Sequence, residues 1–220
     1  MAKLHIFGDS YSVGWDRAHY EPRKEAYVEW LGRTPKHFGD IIKKEFNIDT
    51  IHNYSVGGYD NYSILESIGR NISTIKKNDY VCIGWSDISR YRIVWDNLTD
   101  IGTDPKRWLR FTATMTVPNE YENIVPKEYH KQVVERDCNL TINEIESWQN
   151  ILKTSLPKNT IYWSPFVRKE KNNPWLSPPF YHKLIKDECD IEDWHFGEGG
   201  MIQVGEWLVD RIKSGGKKVL

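Results

Sequence analysis

Three observations predict an α/β fold built on a parallel sheet. Short apolar runs, Lys3 to Phe7, Thr50 to Tyr54, Tyr80 to Gly84 and Thr160 to Trp163, are too brief for helices and end in turn residues. Between them lie segments whose apolar residues recur at helical spacing. Strand and helix therefore alternate, the pattern of a parallel sheet joined by right-handed crossovers.

The first run, Leu4-His5-Ile6-Phe7, enters the turn Gly8-Asp9-Ser10, and the residues behind it read as the start of a helix. A serine there stands at the carboxyl end of a first strand, where open α/β sheets build their sites. From Trp15 to Pro35 the chain is polar and aromatic, an elaborated loop. Thr34-Pro35 reads as an N-cap followed by proline at the first helical position, with Phe38, Ile41, Ile42 and Phe46 as the apolar face. The second strand closes in Ser55-Val56-Gly57-Gly58, and Asp60 or Asn61 caps the next helix, carried by Ile64, Leu65, Ile68, Ile72 and Ile75. Tyr80 to Gly84 is apolar throughout, as a central strand buried on both faces should be.

From Trp85 to about Arg136 the periodicity is lost, and the reading is an irregular insertion (85–136) of short helices and loops over the carboxyl edge of the sheet. A helix resumes at Asn139 or Thr141, with Ile142, Ile145, Trp148, Ile151 and Leu152 on one face. After the fourth strand comes a proline-rich loop, 172–179. The last amphipathic helix runs from about Glu198 to Ile212, with Met201, Val204, Leu208 and Ile212 inward and Gly215-Gly216 ending it. Neither a repeat nor a second domain is visible, so residues 1–220 read as one domain, and no fifth strand can be read.

Bulk properties bear on the partners. With 30 basic and 31 acidic residues, net charge −1, no overall field draws in nucleic acid or an anionic membrane. Three cysteines, Cys82, Cys138 and Cys189, lack metal-type spacing and fit a reducing compartment. The first strand begins at once, with no apolar leader, and no window reaches the ~20 apolar residues of a membrane span. A cytoplasmic location is expected, and the Asn-x-Ser/Thr triplets are taken as chance. No cofactor or metal is called for, and nothing bears on oligomeric state. Ten tryptophans and twelve tyrosines are many for 220 residues; most suit an aromatic core, and some suit a concave site.

The chemistry-bearing phrases follow strand ends. Gly8-Asp9-Ser10 follows the first, Gly57-Gly58 the second and Gly84-Trp85-Ser86-Asp87 the third, while Asp193-Trp194-His195 precedes the last helix. Parallel strands bring these ends to one edge. As a set they resemble the SGNH (GDSL-type) hydrolases, a family of esterases and lipases, along nearly the whole chain. The resemblance implies a three-layer α/β/α domain with a flavodoxin-like parallel sheet of about five strands. It implies Ser10 as nucleophile, His195 as general base and Gly58 as an oxyanion N–H donor, with Gly57 the fallback. Composition also resembles SGNH-like proteins of phages and marine microbes; a phage origin would allow a virion-associated location.

Two departures from the family stand out. Where its third phrase carries asparagine this chain has Ser86, a shorter donor that equally serves as the N-cap of the next segment. Three residues before His195, where the family has aspartate, stands Glu192, with Asp193 two before. Asp193 is preferred as the orienting acid and Glu192 is the alternative. Asp9 reads as a turn anchor. Trp15, Trp85 and Trp194 lie within five residues of a motif serine or the histidine and are candidate substrate walls, though core packing accounts for them equally.

The activity implied is hydrolysis of a carboxylic ester through an acyl-enzyme on Ser10. A polar ester such as an O-acetylated carbohydrate is favoured over a long-chain lipid. The alternative is an SGNH-like glycan or small-molecule binding protein that the two departures have left inactive. A phosphate or nucleotide binder ranks third, because no P-loop or Gly-x-Gly-x-x-Gly phrase is present.

Overall fold

The computed structural model describes residues 1–15, 25, 28–88, 90–94, 108–112, 138–166, 174–179 and 195–215. Four parallel strands form the central sheet: β1 (Lys3–Phe7), β2 (Thr50–Asn53), β3 (Tyr80–Gly84) and β6 (Thr160–Trp163), in the order β2-β1-β3-β6. Leu4 pairs with Ile51 and Tyr80, Phe7 with Ile83, and Gly84 with Trp163, so β1 and β3 are flanked on both sides.

Side chains alternate across the sheet and fill two cores. On one face Leu4, Ile6, Cys82, Ile161 and Trp163 pack with α1 (Phe38–Glu45) and α4 (Glu198–Lys213). On the other, Phe7, Val81, Ile83 and Tyr162 pack with α2 (Asn61–Asn71) and α3 (Cys138–Ser155). Helices therefore cover both faces, the three-layer arrangement expected.

Several elements depart from the sequence reading. Among the described residues the sheet has four strands, where about five were expected. In the place of a fifth, Leu176 makes a single parallel bridge to Trp163: its N–H donates to the Tyr162 carbonyl and its carbonyl accepts from Ser164 N–H, both at 2.9 Å. Pro174, Pro178 and Pro179 bear no N–H, so the pairing does not extend within 174–179. Within 85–136, where short helices and loops were expected, β4 (Arg90–Val94) and β5 (Trp108–Thr112) form an antiparallel ladder.

Helix α1 begins at Phe38, with His37 rather than Thr34 as N-cap. His37 Nδ1 accepts from Gly39 N–H (3.1 Å) while Asp40 Oδ2 accepts from His37 N–H (2.9 Å), a reciprocal capping box. Thr34 and Pro35 belong instead to a strap held to α4: Arg33 forms a fork with the Glu198 carboxylate (2.5 and 3.1 Å), and Lys36 N–H donates to Glu198 Oε1 (2.7 Å). Asp60 caps α2, accepting from Ser63 N–H at 2.6 Å. The regular helix stops at Asn71, and Ile72–Thr74 is a 3₁₀ turn. Ile151, assigned inward, is 67% exposed, whereas Ile142, Ile145 and Leu152 are buried as expected.

At the amino end of the sheet Asp79 acts as a clamp. It accepts from Lys3 N–H (2.9 Å) and Lys76 N–H (2.8 Å) and pairs with His5 Nε2 (3.2 Å). The His5 ring stacks against His52 on the neighbouring strand, 5.3 Å between centroids.

Candidate active site

Ser10 lies three residues beyond the end of β1 in a single tight turn, closed by Ser12 N–H on the Asp9 carbonyl (3.0 Å), and not at a helix start. Asp9 Oδ1 accepts from Tyr11 N–H (3.0 Å), the turn-anchor role expected of it. Contacts from β2 hold the turn from one side: Asn53 Nδ2 donates to the Ser12 carbonyl (2.8 Å) and Val56 N–H to the Gly8 carbonyl (3.2 Å). From the other side comes the close approach of Gly8 and Gly84, the ends of two paired strands. The Ser12 side chain fills the space where a Cβ on either would sit. Ser10 itself is buried.

Gly58 follows β2 with φ +79°, a left-handed conformation that glycine adopts freely, and it is exposed. Tyr59 N–H returns to the Val56 carbonyl, so the Gly57-Gly58 pair forms the crest of a turn beside the one bearing Ser10.

Beyond β3, buried Ser86 is held by its backbone. Its N–H donates to Asn61 Oδ1 (2.8 Å) and its carbonyl accepts from Asn61 Nδ2 (3.2 Å). Its hydroxyl donates to Asp9 Oδ2 at 2.8 Å. The same oxygen accepts from Arg90 Nη1 (3.1 Å), whose other contact is the Tyr59 carbonyl (3.4 Å). One carboxylate thus ties together the turns after β1 and β3, and Arg90 ties both to the turn after β2. Burial pushes the Asp9 carboxyl above its usual range; the Arg90 charge, the Ser86 and Tyr11 hydrogen bonds and the charge of His195 all act against that.

His195 stands just before Phe196 and Gly197, the N-cap of α4. Phe196 is fully buried, edge-on to Tyr11 at 5.3 Å, and the His195 ring lies 4.9 Å from that of Tyr11. The imidazole therefore packs on the residue after Ser10 and is felt electrostatically by the residue before it. The strap from Arg33 and Lys36 to Glu198 fixes the start of α4 three residues further on. Glu192, Asp193 and Trp194 lie outside the described residues.

Trp15 and Trp85 are core residues rather than open walls. Trp15 is 5% exposed, and its Nε1 donates to the Lys36 carbonyl (3.1 Å). Trp85 is wholly buried, and with the Gln149 amide oriented to satisfy its partners, Trp85 Nε1 donates to its oxygen at 2.9 Å. Sequence reasoning missed Arg90 and the bracing roles of Asn53 and Asn61. Asn61 had a signal, standing beside a cap position, but Arg90 meets its partners only through folding.

Among the described residues no cluster of three or more His, Cys, Asp or Glu side chains is arranged to hold a metal ion, and no helix is long and apolar enough to cross a membrane. A cavity of about 460 Å³ between α3 and β6, lined by Gln149, Lys153, Tyr162 and Trp175 among others, shares none of the site residues.

No family model matches the chain, and no curated protein matches its sequence. Solved structures do. A lipase/acylhydrolase from Enterococcus faecalis is 14% identical, with 97% of this chain and 96% of that one covered at a TM-score of 0.51. The esterase EstA from Pseudoalteromonas sp. is 11% identical, covering 97% and 98% at 0.47. A carbohydrate esterase, described as having an active site with divergent catalytic and non-catalytic binding functions, is 11% identical, covering 99% of this chain and 66% of its own at 0.44. The fold of this chain is thus the α/β fold of the Enterococcus lipase/acylhydrolase, matched over almost the full length of both.

Proposed function

We propose that the protein is a serine ester hydrolase acting on a carboxylic ester, with an O-acetyl group on a carbohydrate as the favoured substrate. Ser10 is the nucleophile and His195 the general base; Asp193, or Glu192 in its place, holds the imidazole from the far side. The observation that carries this reading is that His195, 185 positions away, packs against Tyr11 in the turn that bears Ser10.

The chemistry runs in two acyl transfers. His195 takes the Ser10 proton as Oγ attacks the ester carbonyl, and the oxyanion forms against backbone N–H groups of the Ser10 and Gly58 turns. Collapse expels the alcohol, which takes the proton from the imidazolium. Water, deprotonated by His195, then attacks the acyl-serine and releases the acid.

One observation favours a binding protein instead: the Ser86 hydroxyl is committed to Asp9. Losing one oxyanion donor typically costs about 10²–10³ in turnover. One experiment separates the readings. A fluorophosphonate should label the wild-type protein at Ser10, and Ser10→Ala should cut hydrolysis of p-nitrophenyl acetate by about 10⁴-fold or more with an unchanged melting temperature. A wild-type protein that neither labels nor hydrolyses, yet binds acetylated glycans, is the second reading.

A further inference from the structure

We propose that Arg90 stands in for the amide that position 86 lacks, presenting its guanidinium to the carbonyl oxygen of the ester as the Ser10 adduct forms. The proposal rests on the reading of Ser10 as nucleophile and adds a catalytic residue to it.

Three observations carry it. First, the contacts of Arg90 Nη1 are the Asp9 carboxylate and the Tyr59 carbonyl. These belong to the residue before Ser10 and the residue after Gly58, so the guanidinium spans the two turns whose N–H groups would face the oxyanion. Second, Arg90 Nη1 and the Ser86 hydroxyl share one acceptor, Asp9 Oδ2. The end of Arg90 therefore lies beside position 86, where a longer amide side chain would reach. Third, among the described residues Nη2 and Nε carry no hydrogen bond, and the side chain is 19% exposed.

The chemistry suits the task. A guanidinium is always charged and offers five N–H donors in a rigid plane. Clamped through Nη1, it does not need to reorganise when negative charge develops on the substrate oxygen, the condition under which such donors lower barriers most. Its placement has a local cause: Arg90 N–H bonds the Asp87 carbonyl (3.0 Å), next to buried Ile88.

The competing role is structural, a counter-charge for buried Asp9. Arg90→Lys separates the two, since lysine keeps a cation for Asp9 but gives up the planar fork. Its expected effect on p-nitrophenyl acetate hydrolysis is a fall in kcat of about 10²-fold, with KM within about threefold and a melting temperature close to that of the wild type. Adding Ser86→Asn to Arg90→Lys supplies the amide and should restore kcat by at least about tenfold, a rescue that a counter-charge role does not produce. Arg90→Lys that keeps kcat within about threefold overturns the proposal, as does a loss that Ser86→Asn leaves unrepaired or that tracks unfolding. Fluorophosphonate labelling keeps the two levels apart. If wild-type Ser10 does not label and no hydrolysis occurs, both readings fall; if wild type and Arg90→Lys label equally fast, only the role of Arg90 falls.

Discussion

Asp9 occupies a position where a buried carboxylate answers to four groups. Its two oxygens meet Tyr11 N–H, the Ser86 hydroxyl and Arg90, and His195 adds charge nearby. Burial holds its pKa above the ordinary 3.8. A carboxyl raised on folding contributes stability that is full below its unfolded pKa and lost as pH rises through the folded one. Asp9→Asn, which cannot ionise, should therefore show a stability deficit against the wild type that narrows as pH climbs above about 3.8. At neutral pH the variant should still lose about 2 kcal/mol, because Arg90 keeps its charge and loses its partner. Urea unfolding at a series of pH values measures both; a deficit that does not change with pH contradicts the assignment. The turn-anchor role could be read from Gly-Asp-Ser alone, because it is local. The ion pair could not, because Arg90 lies 81 residues away and no spacing rule links the two.

At the scale of elements, the apolar runs at β1, β3 and β6 mark themselves because both faces of each are buried. The misreadings have separate causes. His37 is outside the usual set of N-cap residues, so the nearer Thr-Pro pair drew the boundary instead. Ile151 continues the apolar spacing of α3 but stands exposed. The β4–β5 ladder escaped because its strands carry arginines (Arg90, Arg92 and Arg110) and no clean alternation, and are joined through a long connection. The packing of β1 against β3 supplies a prediction of its own. A methyl group at Gly84 would lie 2.5 Å from Ser12 Oγ and 3.1 Å from Trp163 Nε1. Gly84→Ala should cost about 1–3 kcal/mol by overpacking. It should also slow any reaction of Ser10, because Ser12 is in the same turn. A melting temperature and labelling rate both equal to wild type would show that the turn moves aside freely.

For the molecule as a whole, sequence reasoning recovered the alternation of strands and helices that builds the central sheet; the braces between the turns came only with the structure. The opposite edge of the sheet holds two groups, His5 and Asp79, that make stability respond to acid. Burial holds the His5 pKa below 6.5, outweighing the Asp79 interactions that raise it. Burial also pushes the Asp79 carboxyl upward, but the N–H groups of Lys76 and Lys3 together with His5 hold it below the ordinary 3.8. Both groups are thus disfavoured in their protonated forms, so the folded state is destabilised as pH falls. The His5 contribution is full above 6.5 and lost as pH falls through its folded pKa; that of Asp79 is present above 3.8 and lost as pH falls through its own. Stability read by equilibrium unfolding should fall on acidification below about pH 6.5, and His5→Phe, which keeps a stacking ring, should flatten that part of the curve. An unaltered slope in the variant would assign the acid sensitivity to another histidine.

The single bridge at Leu176 has a consequence for how these molecules meet one another. A parallel sheet that ends in an open strand offers its unpaired amides to any neighbouring chain, the first step of stacking into aggregates. Here the final rung beside β6 is one residue long, and the prolines at 174, 178 and 179 have no amide hydrogen to offer a newcomer. Among the described residues, the segment that sits beside β6 thus offers a second molecule few amides on which to add a strand.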